Sequence, residues 1–300
     1  MHRYRSFFWP AVLILAGVVA LLVNTGALSA DRLYQLLDLW PVILIVIGLE
    51  LIVRRSVHGA TGDLAAALIV LIAVGGAIAY VAVAPNPSAE RTLDTKAAIG
   101  NLSKASVEID VGAATITIAG SSSLGSDLYR VHILYSGSTP DVRLDSANGK
   151  LTIDQPNRNT FGLQTRRFVL DLQLNPQVRW TIAENNGATQ DNMNVRNVPV
   201  DGVTINTGAS THDITLGTPS GIVPVEINGG ALTVHIHRPI GTKARAEVSG
   251  GAVSLDFDGR STHAIGNASA ETGDLGGDYY RITVSGGACT VTVDTNAASG

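Results

Sequence analysis

The chain has one cysteine, Cys289. It can close no internal disulfide and build no cysteine-based zinc site, so the fold stands without covalent or metal staples. Positive charge is scarce as well, with 21 Lys and Arg against 25 Asp and Glu in 300 residues and a net charge of −4. That balance offers no footprint for a polyanion and argues against a nucleic-acid partner. Aromatic residues are only 5% of the chain while 45% of it is hydrophobic, so the apolar content is mainly aliphatic. Long apolar runs are missing after Ala84, where short alternating segments lie between Gly, Asn, Asp and Ser. The uneven distribution implies a protein in two parts, a membrane region over 1–84 and a β domain over 99–296, joined by a polar linker over 85–98.

Three runs in the first part are long and apolar enough to cross a bilayer, over about 7–28, 33–53 and 64–84. Two of them open on the same phrase, Trp9-Pro10 and Trp40-Pro41, each followed by a Gly eight residues after the Trp, at Gly17 and Gly48. Pro suits the first turn of a helix, where its missing N–H was an orphan anyway, and Trp favours the membrane interface. The phrase therefore marks two helix starts, and in an antiparallel hairpin these lie on opposite membrane faces. A signal peptide, with Arg3 and Arg5 in its basic head and "ALSA" ending at Ala30 as its cleavage site, would discard one half of this mirrored unit. Arg3 and Arg5 precede the first span, and Arg54 and Arg55 follow the second. The positive-inside rule then puts the N-terminus in the cytoplasm, and a third span carries the β domain to the outside.

Beyond Pro85 the period is close to two. "VEIDVGAATITI" from Val107, "VEINGGALTVHI" from Val225 and "ITVSGGACTVTV" from Ile282 share one grammar: alternating strand, Gly-Ala corner, alternating strand. The corner glycines are Gly112, Gly187, Gly208, Gly230, Gly251 and Gly287, and from Gly187 the steps are 21, 22 and 21 residues, then 36. Short strands repeating at this length predict a β-solenoid-like stack of sheets, with a β-sandwich as the alternative. Six residues after each Gly stand Ile118, Met193, Ile214, Ile236, Phe257 and Val293, a predicted core column. Three after each Gly stand Thr115, Gln190, Thr211, Thr233, Ser254 and Thr290, a predicted outward ladder.

Candidate chemistry is thin. His235 and His237 point outward from one strand. If the repeats stack in chain order, His235 lies between Asp213 and Asp256, and His237 beside Asp258, with strands about 4.8 Å apart. Such a cluster reads either as a metal or pH-sensitive site or as a solvated polar face. Asp191 and His212 share an inward position four after their Gly, where other repeats are apolar, and read either as a mutually satisfied buried pair or as a first turn that is simply irregular, with no positioned nucleophile for a catalytic dyad. "NRNTFGLQTRR", with Arg158, Phe161, Arg166 and Arg167, is either a loop for anionic lipid or an acidic partner, or a solvated hairpin. Corners such as "SGGA" lack the strand–loop–helix context of a phosphate loop. No catalytic residue and no cofactor is expected.

The Trp9-Pro10, Gly17, Trp40-Pro41, Gly48 and Arg54-Arg55 pattern resembles the transmembrane region shared by LiaI and LiaF proteins of bacterial envelope-stress systems. The β repeats resemble the toast-rack and LiaF-type C-terminal domain. The resemblance implies a non-enzymatic sensory or regulatory accessory protein that meets the lipid bilayer and a membrane sensor kinase or another envelope protein. LiaF itself resembles a four-span protein with an inward-facing domain, whereas three spans place this one outside. A structural surface protein or adhesin of stacked repeats, with a second copy of the chain as partner, is the rival class, and a metal- or ligand-binding extracytoplasmic module is the third.

Overall fold

A computed structural model describes residues 90–155 and 167–296. The three expected spans, with Trp9, Pro10, Trp40, Pro41, Arg54 and Arg55, lie outside the described residues. Among the described residues no helix is long and apolar enough to cross a membrane. The strands are β1 (Arg91–Ala98), β2 (Lys104–Gly120), β3 (Asp127–Tyr135), β4 (Asp141–Asp145), β5 (Lys150–Asp154), β6 (Phe168–Leu174) and β7 (Arg179–Asn194). They continue as β8 (Val200–Asn206), β9 (Ala209–Thr215), β10 (Ile222–Asn228), β11 (Ala231–Pro239), β12 (Lys243–Phe257), β13 (Arg260–Glu271) and β14 (Tyr279–Asn296).

Each repeat becomes one rung. Five long strands, β2, β7, β12, β13 and β14, run through the corner and serve two stacked sheets; β8–β9 and β10–β11 break there into separate strands. Before the corner the order is β4, β5, β2, β7, β8, β10, β14, β12, β13. After the corner it is β1, β3, β6, β2, β7, β9, β11, β14, β12, β13. From β2 to β12 every rung pairs parallel, in register but for a bulge at Trp180 and Thr181 where β7 meets β8, whereas β1, β4 and β13 close the ends antiparallel. Parallel in-register stacking makes this domain solenoid-like, because a sandwich of hairpins pairs its consecutive strands antiparallel.

The corner needs glycine for space. A Cβ on Gly208 would lie 2.6 Å from the Gly187 carbonyl oxygen, and one on Gly187 would lie 2.9 Å from that of Gly112. The glycines let one rung's backbone nest against the next, so Gly208 N–H donates to Gly187 O at 2.6 Å. Inside, the predicted column is continuous: Ile118, Met193, Ile214, Ile236, Val293 and Phe257 are successive register partners and each is fully buried. Outside, Asn206 donates to Asn185 at 3.0 Å and Asn228 to Asn206 at 3.2 Å, so an amide ladder follows the same register.

Two expectations are corrected. Residues 91–98 are not linker but strand β1, because alternation in "RTLDTKAA" lets Leu93 and Ala97 pack on the core while the strand pairs with β3. The rungs also do not stack wholly in chain order, since β14 lies between β11 and β12 rather than at the end of the rack. The 36-residue step holds β13, which turns back antiparallel and occupies the outer edge of β12. The last parallel rung therefore enters on β12's other side.

Candidate functional site

Strand β7 carries the site. Its inward positions run Trp180, Ile182, Glu184, Asn186, then after the corner Thr189, Asp191 and Met193. The alternation is apolar at both ends and polar in the middle, so Glu184, Asn186, Thr189 and Asp191 are buried together at 0 to 9% exposure. Opposite Asp191 in register stands His212 of β9, fully buried. The same row continues apolar, through Val234, Val291 and Leu255 on one side and Ile116 on the other.

His212 Nδ1 lies 3.2 Å from Asp191 Oδ2, and its Nε2 lies 2.7 Å from Ser210 Oγ. Asn186 Nδ2 donates to Glu184 Oε2 at 2.7 Å. Glu184 Oε1, Asn186 Oδ1, Thr189 Oγ1 and Asp191 Oδ1 have no hydrogen-bond partner. Burial, then the neighbouring Asp191 charge, pushes the Glu184 carboxyl up to about 8. Burial, reinforced by Asp213, raises Asp191 to about 7, and burial lowers His212. All three shifts favour the uncharged forms, as expected where water is excluded. The Asp191–His212 contact is thus a hydrogen bond between largely neutral groups in mildly acidic solution.

The order Ser210, His212, Asp191 copies the connectivity of a nucleophile, a base and an orienting acid. It lacks the other half of that chemistry. The corner amides beside Ser210 are engaged: Gly208 donates to Gly187 O, and Gly230 and Ala231 both donate to Gly208 O. They are not available to stabilise an oxyanion, and donors aimed at that charge usually supply most of the rate enhancement in acyl transfer.

The surface candidates are separated by the insertion of β14. His235 has Asp213 and Thr292 as register partners, and His237 has Thr215 and Asp294. His237 Nδ1 lies 2.6 Å from Asp294 Oδ1 and its Nε2 lies 3.6 Å from Asp213 Oδ1. Asp256 instead accepts from Ser261 Oγ at 2.6 Å and from Gly259 N–H, and Asp258 pairs with buried Arg238. Of the expected cluster, His235, His237 and Asp213 thus stay together, while Asp256 and Asp258 go to other partners. Among the described residues no group of three or more His, Cys, Asp or Glu is spaced to hold a metal ion. In the expected loop, Arg167 pairs with Glu90 at 2.6 Å and its N–H donates to Ser136 Oγ, while Arg158, Phe161 and Arg166 lie outside the described residues. Glu184 and Arg238 escaped the sequence reading. Both stand at inward parity, Glu184 two after Ile182 and Arg238 two after Ile236, and that parity was the signal.

Comparison with known proteins agrees with this architecture. The profile of the LiaI-LiaF-like transmembrane region matches residues 7–52. A crystal structure of "a putative cell adhesion protein" from Clostridium sporogenes is 15% identical with a TM-score of 0.60, covering 69% of this chain and 100% of that one. At that identity the likeness shows the fold alone. A "putative adhesin" from Bacteroides fragilis, 8% identical over 70% of this chain and 98% of its own, has a TM-score of 0.28, too loose a superposition to carry weight. No curated protein matches the chain. The profile described as the N-terminal domain of toast_rack, DUF2154, matches residues 85–237, just over half of the sequence, and the chain belongs to that family.

Proposed function

We propose that this protein is a non-enzymatic, membrane-anchored accessory factor of bacterial envelope-stress signalling. One observation carries the reading: a LiaI-LiaF-like transmembrane region and a toast-rack domain follow one another in a single chain. Three spans over 7–28, 33–53 and 64–84, with Arg3, Arg5, Arg54 and Arg55 on the cytoplasmic side, hold the rack on the extracytoplasmic side of the cytoplasmic membrane. Its long, regular faces of Thr, Asn, Ser and Asp suit protein contact, and the buried cluster lacks the oxyanion donors that hydrolysis requires. Through the rack or the helices the protein meets a membrane sensor kinase or another envelope protein and changes its signalling state.

Two measurements test this. External protease on intact cells should cut the chain after residue 85, and complete protection beside a cleaved outward-facing control overturns the topology. Deleting the rack should alter the envelope-stress response while the anchor stays in the membrane. An unchanged response, with no envelope protein lost from co-purification, overturns the regulatory role.

A further inference from the structure

The two ends of the rack are finished differently. At one end, β1 and β4 each have a single strand partner, and both edges are protected by charge: Arg91, Asp94 and Lys96 on β1, Asp141, Arg143 and Asp145 on β4. Charges on an edge strand are a usual device against pairing with another chain. At the other end, β13 pairs only with β12, and its twelve residues leave a full rung edge without a partner among the described residues. Between Arg260 and Glu271 this strand holds no Asp, Glu, Lys, Arg or Pro. Its Ile265 is 93% exposed, the most exposed large hydrophobic side chain among the described residues.

We infer that the β13 edge is a docking surface for a second copy of this chain, two racks joining end to end through antiparallel β13–β13 pairing. The geometry is already used once within the molecule, where β13 lies antiparallel on β12 across the corner, with Gly266 opposite Gly250. Strand β13 bends at Gly266, whose φ is +98°, and leaves arms of similar length on either side. A two-fold axis through that bend maps each arm onto the other. Pairing centred on Gly266 keeps every inward residue opposite an inward residue, so Ala264 meets Ala268 of the partner subunit and Thr262 meets Ala270 of the partner subunit. In the single chain Ala264 and Ala270 are only partly buried against the core, and a second rung covers them.

Charge fits the same axis. The two-fold sets Ser261 opposite Glu271 of the partner subunit and leaves Arg260 at the far end of its arm, so no like charges face each other. The two Ile265 side chains become diagonal neighbours flanking the paired glycines, which removes the exposed apolar surface. An isologous contact of this kind closes at two copies, and the charged β1 and β4 edges at the far ends stop further growth.

The full chain in lipid nanodiscs tests the inference. Native mass measurement should find two copies per particle, and Ile265→Lys, at a site too exposed to disturb the fold, should halve the protein mass. With Cys289 buried, a thiol introduced by Ile265→Cys should cross-link into a covalent dimer, whereas Thr92→Cys on the charged edge and the unaltered chain should not. A one-copy particle for the unaltered chain, a dimer that survives Ile265→Lys, or equal cross-linking at Thr92→Cys would each overturn it.

Discussion

Asp191 of β7 and His212 of β9 stand opposite each other, 3.2 Å apart, in a row of the core whose other rungs are Ile116, Val234, Val291 and Leu255. Removing one partner strands the other without water. His212→Val should therefore cost about 1–3 kcal/mol, the usual penalty for an unsatisfied buried polar group. The double variant Asp191→Val with His212→Val completes the apolar row and should cost clearly less than the two single changes added together. Urea unfolding of the four proteins measures this, and simple additivity would show that the pair is not coupled.

Stability should fall with rising pH. Glu184 is raised from 4.5 to about 8 and Asp191 from 3.8 to about 7, so folding favours their protonated forms. Their contribution is complete below about pH 4, declines progressively as pH rises past the unfolded values, and is gone above about 7 for Asp191 and about 8 for Glu184. His212, lowered from 6.5, acts the other way, and its contribution declines only as pH drops below 6.5. Between pH 6.5 and 8 the two carboxyls, and not His212, set the cluster's slope. Melting temperature should fall across that window, and Glu184→Gln should flatten much of the fall, recovering on the order of a few kcal/mol at the alkaline end. A wild-type profile without slope there would contradict the assignment.

The corner glycines should not be equivalent. A Cβ on Gly208 would meet the Gly187 carbonyl at 2.6 Å, whereas one on Gly112 has nothing within 4 Å. Gly208→Ala should destabilise by about 1–3 kcal/mol, as overpacking does, while Gly112→Ala should be close to neutral. Thermal melts of the two variants side by side give the comparison.

His235 and His237 should prove to be surface residues without a metal duty. His237 is half-buried and bonded to Asp294, so replacing both with Ala should cost at most about 1 kcal/mol. Metal content by elemental analysis should not change, and a chelator should leave the melting temperature of the unaltered protein where it was. A drop with chelator that the double variant lacks would restore the metal reading.

Much of the rack was legible because strand side chains alternate and the Gly-Ala corner recurs at nearly constant spacing. Those two local regularities were enough to assign Ile118, Met193, Ile214, Ile236, Phe257 and Val293 to the interior. The Asp191 and His212 pair was legible for the same reason, as two polar residues at an apolar parity. Glu184 obeys that rule too, but polar residues beside a corner, here Glu184, Asn186 and Thr189, look like the corner's own irregularity until their neighbours are seen to bury them.

Which rung lies beside which was not local information. Every rung repeats the same grammar, so any of them fits either edge of another at little difference in energy, and the sequence determined the rungs without their order. Tertiary structure decided that β13 takes the outer edge of β12 and that β14 enters between β11 and β12. That single choice separates His235 and His237 from Asp256 and Asp258. It also leaves β13, charged only at its two ends, as an edge of the rack.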